Sequence, residues 1–172
     1  MSSIPKTGDF LGHPKGLFLL FGTEMWERFG YYGMRAILVL YLVAMVQDGG
    51  FGWSNADALS LYGTFTMAVY ITPLFGGWLA DNILGQRKAI IIGGLLMADG
   101  HFTMGIPHSV LAGQEENVFY LGLALLCLGN GLFKPNISTM VGDLYQEGDQ
   151  RRDGAFTIFY MGINLGGALG PL

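Results

Sequence analysis

Glu24-Met25-Trp26-Glu27-Arg28-Phe29-Gly30-Tyr31-Tyr32-Gly33-Met34-Arg35 sets two acids and two arginines inside a run that otherwise reads as a membrane-spanning helix. Apolar sequence precedes it at Gly16-Leu17-Phe18-Leu19-Leu20 and resumes at Ala36-Ile37-Leu38-Val39-Leu40-Tyr41-Leu42-Val43. A charge at bilayer depth is costly, so it persists only where it faces protein or a watery cavity. At about 100° per residue, Glu24, Glu27, Arg28, Tyr31 and Arg35 fall at roughly 0, 300, 40, 340 and 20°. They make one polar stripe on a greasy helix, and such a stripe lines a polar pathway. Pairing of Glu24 with Arg28 at i, i+4, merely to fix helix packing, is the plainer alternative. It accounts for neither the second carboxylate nor the neighbouring Tyr31 and Tyr32.

Composition agrees with a membrane protein. The chain is 51% hydrophobic and only 13% charged, with 28 glycines; a soluble domain carries about twice that charge. Cys127 is the sole cysteine, which excludes an internal disulfide and a cysteine-built metal site. The stretch from Met1 to Lys15 is polar and lacks the apolar core and cleavage site of a signal peptide, so the first helix serves as its own insertion signal.

Five segments approach the roughly 20 residues that a bilayer requires: about 16–46, 56–80, 88–107, 117–141 and 154–172. Gly49-Gly50-Phe51-Gly52 and Pro107-His108-Ser109 mark turns on one side. Asp81 to Lys88 and Gly148 to Asp153 mark loops on the other. Lys6, Lys15, Arg87, Lys88, Arg151 and Arg152 all fall on that second side, whereas the loops after the first and third helices carry no Lys or Arg. The positive-inside rule then places the N-terminus in the cytoplasm. Ala168-Leu169-Gly170-Pro171-Leu172 is still apolar, which predicts that 1–172 is a truncated N-terminal bundle, with a sixth helix and a C-terminal bundle to follow.

Three further groups stand out. Gly76-Gly77-Trp78-Leu79-Ala80-Asp81 leads into Asn82-Ile83-Leu84-Gly85-Gln86-Arg87-Lys88. A carboxylate and cations that straddle a tight turn can latch two helices in one conformation and release them in another. The placement resembles the cytoplasmic loop signature of the major facilitator superfamily, although its usual Asp-Arg-x-Gly-Arg-Arg is replaced. In the fourth helix Lys134 precedes Pro135, a costly arrangement in an apolar span unless the lysine has an anionic partner or snorkels to the interface. In the fifth, Gly162, Gly166 and Gly170 form a stripe for close helix contact. Asn164 lies about 200° from Gly162, facing either a cavity or a neighbouring helix as hydrogen-bond glue.

Taken in order, Glu24-x-x-Glu27-Arg28-Phe29-x-Tyr31-Tyr32-Gly33, Lys134-Pro135-Asn136-Ile137-Ser138 and Phe159-Tyr160-x-x-Ile163-Asn164-x-Gly166 resemble the proton-dependent oligopeptide transporter family. The resemblance implies an all-α major facilitator fold, of which this chain is five helices of an expected six in the N-terminal bundle. It implies a proton-coupled symporter of di- and tripeptides in the cell (inner) membrane. By position, Glu24, Glu27 and Arg28 match the family's proton-coupling motif. Tyr31, Tyr32, Arg35, Tyr70, Lys134 and Asn164 match its peptide-binding positions, and Asp81, Arg87 and Lys88 its gating loop. The implied partners are di- and tripeptides, protons, the lipid bilayer and the C-terminal bundle, with no nucleic acid. No catalytic residue, metal or cofactor is implied beyond the proton as coupling ion; the resemblance is to a transporter, not an enzyme. Some members carry a histidine where this chain has Gly63, which leaves the carboxylates as candidate proton carriers here.

The implied task makes physical sense. A short peptide is a zwitterion, and its charged ends need counter-charges where the dielectric is low. Arg35 and Lys134 would receive the carboxylate, arginine by a two-point hydrogen bond, while tyrosines offer broad contact with a polar tip. Three cations (Arg28, Arg35, Lys134) stand against two acids (Glu24, Glu27) in these motifs, so the peptide amino group is expected to meet acids outside this chain. Asp99, near mid-span in the third helix, matches no motif. An anion transporter of the same superfamily, for nitrate or another small solute, shares Glu-x-x-Glu-Arg and is the alternative. A membrane-embedded hydrolase would need a His-Glu-x-x-His or similar set, and His13, His101 and His108 do not supply one.

Overall fold

The computed structural model describes residues 9–172; Lys6, used above for orientation, lies outside them. Five long helices dominate: α1 (Lys15–Val43), α2 (Asn55–Leu79), α3 (Gln86–Met104), α4 (Glu115–Asp143) and α5 (Arg151–Leu169). Each coincides with one of the segments read from hydropathy, with ends displaced by at most a turn. A small hairpin precedes them, β1 (Asp9–Phe10) against β2 (His13–Pro14), with Phe10 opposite His13. Its turn residues Leu11 and Gly12 both have positive φ, at 50° and 81°, the twist that tight two-residue hairpins prefer.

The segment from Asp81 to Lys88, expected to be a loop, is almost entirely helical. Ala80–Leu84 continues α2 as a π-helical turn, and only Gly85 separates it from α3. Gly85 has φ 77°, a conformation open to glycine at no steric cost. Asp81 therefore sits on a helical turn, and Arg87 and Lys88 sit in the first turn of α3. Pro73 and Pro135 lie inside continuous helices. Proline offers no N–H to the carbonyl four residues earlier, and at Pro135 that carbonyl is Gly131, against which Gly76 of α2 packs.

Contacts divide the chain into two compact units: the N-terminal segment through Ile37 with Ile137–Leu172, and Leu38–Asn136. In the first, α1 meets α5 where Gly162 faces Phe21 and Gly170 faces Phe29 and Gly33. In the second, α4 receives α2 at Gly131 and α3 at Gly129, where a Cβ would lie 2.6 Å from the Gly93 carbonyl oxygen. Such close small-residue crossings are how helices associate when burial of apolar surface gives no help.

Away from these crossings the helices turn large apolar side chains outward. On α2, Met67, Leu74, Phe75 and Trp78 are exposed, and on α3, Leu95 and Phe102. Extended apolar surface of this kind suits a lipid environment. Among the described residues two helical stretches are long and apolar enough to cross a membrane, Asn55–Leu84 at mean hydropathy 1.3 and Glu115–Asp143 at 1.4. In α1 the four charges from Glu24 to Arg35 lower the hydropathy, and in α3 Asp99 and His101 interrupt the apolar run.

Candidate functional site

One face of α1 carries Leu17, Leu20, Glu24, Arg28, Tyr31, Met34, Leu38 and Leu42, all buried and spaced three or four apart. The stripe read as polar is thus the middle of a packed seam with apolar ends. Glu24 is 2% exposed and Arg28 4%. Arg28 Nε lies 3.3 Å from Glu24 Oε1 and donates to Glu27 Oε2, so one guanidinium serves two carboxylates. Its carbon stands 5.0 Å from the centre of the Tyr31 ring and 5.9 Å from that of Tyr32, within range of cation–π attraction. The two rings meet edge to face at 5.3 Å. Arg28 Nη2 is buried without a hydrogen-bond partner among the described residues. Arg35 is half-buried two turns further along α1, and Asn164 of α5 is exposed, on the side away from buried Gly162 and Gly166.

In the second unit, Lys134 and Tyr70 come together. Nζ of Lys134 lies 5.2 Å from the centre of the Tyr70 ring, and that ring is 64% exposed. Pairing across two helices was not evident in the sequence, where the two residues shared only an assigned role. Asp81, Arg87 and Lys88 are exposed, and among the described residues none of them makes an ion pair. Asp99 is exposed on α3, on the side away from buried Ala89, Gly93 and Met97. Among the described residues no cluster of three or more His, Cys, Asp or Glu could hold a metal. A cleft of about 620 Å³ opens beside Trp53, Asp57, Ser60, Thr64 and Tyr120, and none of the residues singled out above lines it.

Two polar groupings are not foreshadowed by any motif. Arg151 binds Asp9 at 2.9 Å, Asp149 at 2.8 Å and the Gly12 carbonyl at 3.0 Å. His13 Nδ1 and the Tyr145 hydroxyl are 2.8 Å apart beside it. Together they tie the hairpin to the α4–α5 connection. Burial pushes the Tyr145 phenol above its ordinary range, with Asp149 and Asp9 adding and Arg151 opposing, and the two carboxylates raise Arg151 in turn. The second grouping joins the Tyr41 hydroxyl to His108 Nε2 at 2.7 Å, amid Phe51 and Phe119. Asp149-x-Arg151 is the one local hint of the first; the second joins segments with no shared motif.

Comparison with known proteins agrees with this architecture. Residues 87–172 match the POT family profile. The chain is 47% identical over its full length to the uncharacterized transporter YclF of Bacillus subtilis, and 43% identical to a di-/tripeptide transporter of Lactococcus lactis subsp. lactis. It spans about a third of the length of each (34%). Its fold superposes on a crystal structure of peptide transporter POT in complex with sulfate at TM-score 0.90 and 49% identity, covering 99% of this chain and 33% of that one. The chain belongs to the POT family, within the major facilitator superfamily.

Proposed function

We propose that the protein carrying this chain is a proton-coupled symporter that imports di- and tripeptides across the cell (inner) membrane by alternating access, its N-terminus cytoplasmic. The observation that carries this reading is the buried Glu24–Arg28–Glu27 cluster at the centre of the packed face of α1. A proton arriving on either carboxylate weakens its hold on Arg28, so proton occupancy and the local position of α1 are linked electrostatically. Arg35 and Lys134 supply cations for a peptide carboxylate. Tyr31, Tyr32, Tyr70 and Asn164 supply contact surface, and Asp81, Arg87 and Lys88 a gate at the cytoplasmic helix ends. The L. lactis relative, named a di-/tripeptide transporter, supports this substrate class over nitrate.

The test is uptake into liposomes holding the protein as its gene encodes it. Labelled di- and tripeptides, single amino acids and nitrate are compared with and without an inward proton gradient. Gradient-dependent accumulation confined to the peptides is the expected result. Accumulation of nitrate in their place would move the reading to the anion alternative, and peptide uptake indifferent to the gradient would remove the coupling.

A further inference from the structure

Gly166 of α5 touches the coupling cluster from behind. A Cβ built on it would run into the Met25 carbonyl oxygen, and would lie 2.9 Å from both the Arg28 Cβ and the Phe29 backbone nitrogen. Two of those three obstacles are backbone atoms, which cannot swing aside. One turn earlier, Gly162 faces Phe21, partly through its flexible ring at 2.9 Å; one turn later, Gly170 faces the Phe29 carbonyl oxygen at 2.6 Å. The crossing is therefore tightest at the turn that carries Arg28, between Glu24 and Tyr31. Arg28 is buried there, and the α5 backbone forms the wall at the root of its side chain.

We propose that Gly166 is a positioning residue for proton coupling: by admitting the α5 backbone to within contact of Arg28 Cβ, it fixes where the guanidinium meets Glu24 and Glu27. The proposal rests on the symporter reading above and deepens it. A methyl group at position 166 forces α1 and α5 apart at this turn and shifts Arg28 against its two carboxylates, without altering any ionisable group. A misplacement of about 1 Å at a reacting group costs on the order of a hundredfold in rate. Peptide exchange that needs no proton movement depends on other side chains and is spared.

The experiment compares Gly166→Ala, Gly162→Ala and Gly22→Ala in liposomes with the wild-type protein. Gly22 lies on the same stretch of α1 with nothing within 4 Å of a Cβ. Gradient-driven accumulation and gradient-free counterflow of one labelled dipeptide are measured, each as Vmax and KM. Gly166→Ala is expected to lose roughly ten- to a hundredfold in gradient-driven Vmax while counterflow KM stays at the wild-type value; Gly22→Ala should match wild type in both. If Gly166→Ala does not fold, Gly162→Ala carries the test, with a smaller selective loss expected because a ring can yield. Equal loss of both activities in the folded variants would reduce the crossing to packing and overturn the proposal, as would wild-type coupling in Gly166→Ala. Wild-type protein that accumulates no peptide under a gradient would remove the symporter reading and this one with it.

Discussion

Arg28 Nε and Glu24 Oε1 lie 3.3 Å apart, one helical turn from each other, with both side chains almost wholly out of solvent. Glu27 takes a hydrogen bond from the same nitrogen. A proton on either carboxylate would remove that group's attraction for the guanidinium, and this is the electrostatic link on which the proposed coupling rests.

Glu24→Gln and Glu27→Gln keep size and some hydrogen bonding while removing the titratable group. Gradient-driven peptide uptake is expected to collapse in at least one of them, with counterflow exchange retained. Glutamine is preferable to alanine, because truncating one partner of a buried pair costs about 3–5 kcal/mol and risks the fold. Full gradient-driven uptake in both variants would take the carboxylates out of the mechanism.

Tyr70 carries a second, separable expectation. Its ring lies 5.2 Å from the Lys134 ammonium, a contact worth about 0.5–2 kcal/mol. Tyr70→Phe retains the ring face and should bind peptide nearly as the wild type does. Tyr70→Ala should weaken affinity several-fold, and Lys134→Ala should weaken it further, because the charge itself is lost. Titration of peptide by calorimetry orders the three; a phenylalanine variant as weak as alanine would assign the effect to the hydroxyl.

How much of this was legible beforehand depends on the range of each interaction. The charges of α1 announce themselves because the helical period gathers Glu24, Glu27 and Arg28 on one face, and charges within an apolar run are too costly to be incidental. Their place within an apolar seam from Leu17 to Leu42 was implicit in the same period. The π-helical turn at Ala80–Leu84 was hidden, since Asp81 and Asn82 look like loop residues and only Gly85 breaks the backbone. The hairpin at Asp9–Pro14 has two residues per strand, too few to show alternation. Tyr70 with Lys134, and Arg151 with Asp9, join segments far apart in the chain, and nothing local specifies such pairs.

The hairpin's attachment predicts an alkaline response. The Tyr145 phenol is held above its ordinary value chiefly by burial, so the unfolded chain gives up this proton first as pH rises past about 10. Its contribution to stability is complete below that pH and is lost progressively above it. Tyr145→Phe should cost about 0.5–1.5 kcal/mol at neutral pH through the lost bond to His13, and should melt with a shallower decline between pH 9 and roughly 11. Thermal melts of the detergent-solubilised protein across that range check this; parallel declines in the two proteins would show that the phenol's burial is not felt.

Orientation yields the last prediction. Lys15 opens α1, Arg87 and Lys88 lie in the first turn of α3, and Arg151 and Arg152 open α5. Five basic residues thus gather at the N-terminal ends of alternate helices, while the α1–α2 and α3–α4 connections carry none. Lys and Arg are retained on the cytoplasmic side during insertion, so the starts of α1, α3 and α5 are expected there. Single cysteines at Asn82 and Gln150, both exposed, should resist an impermeant thiol reagent applied to intact cells and react after the cells are opened. Cysteines at Gln47 and Gln114, also exposed, should react at once. The native Cys127 is buried, so it should add little background and can stay in place. The reverse labelling pattern would invert the topology, and with it the side on which Asp81, Arg87 and Lys88 could act as a gate.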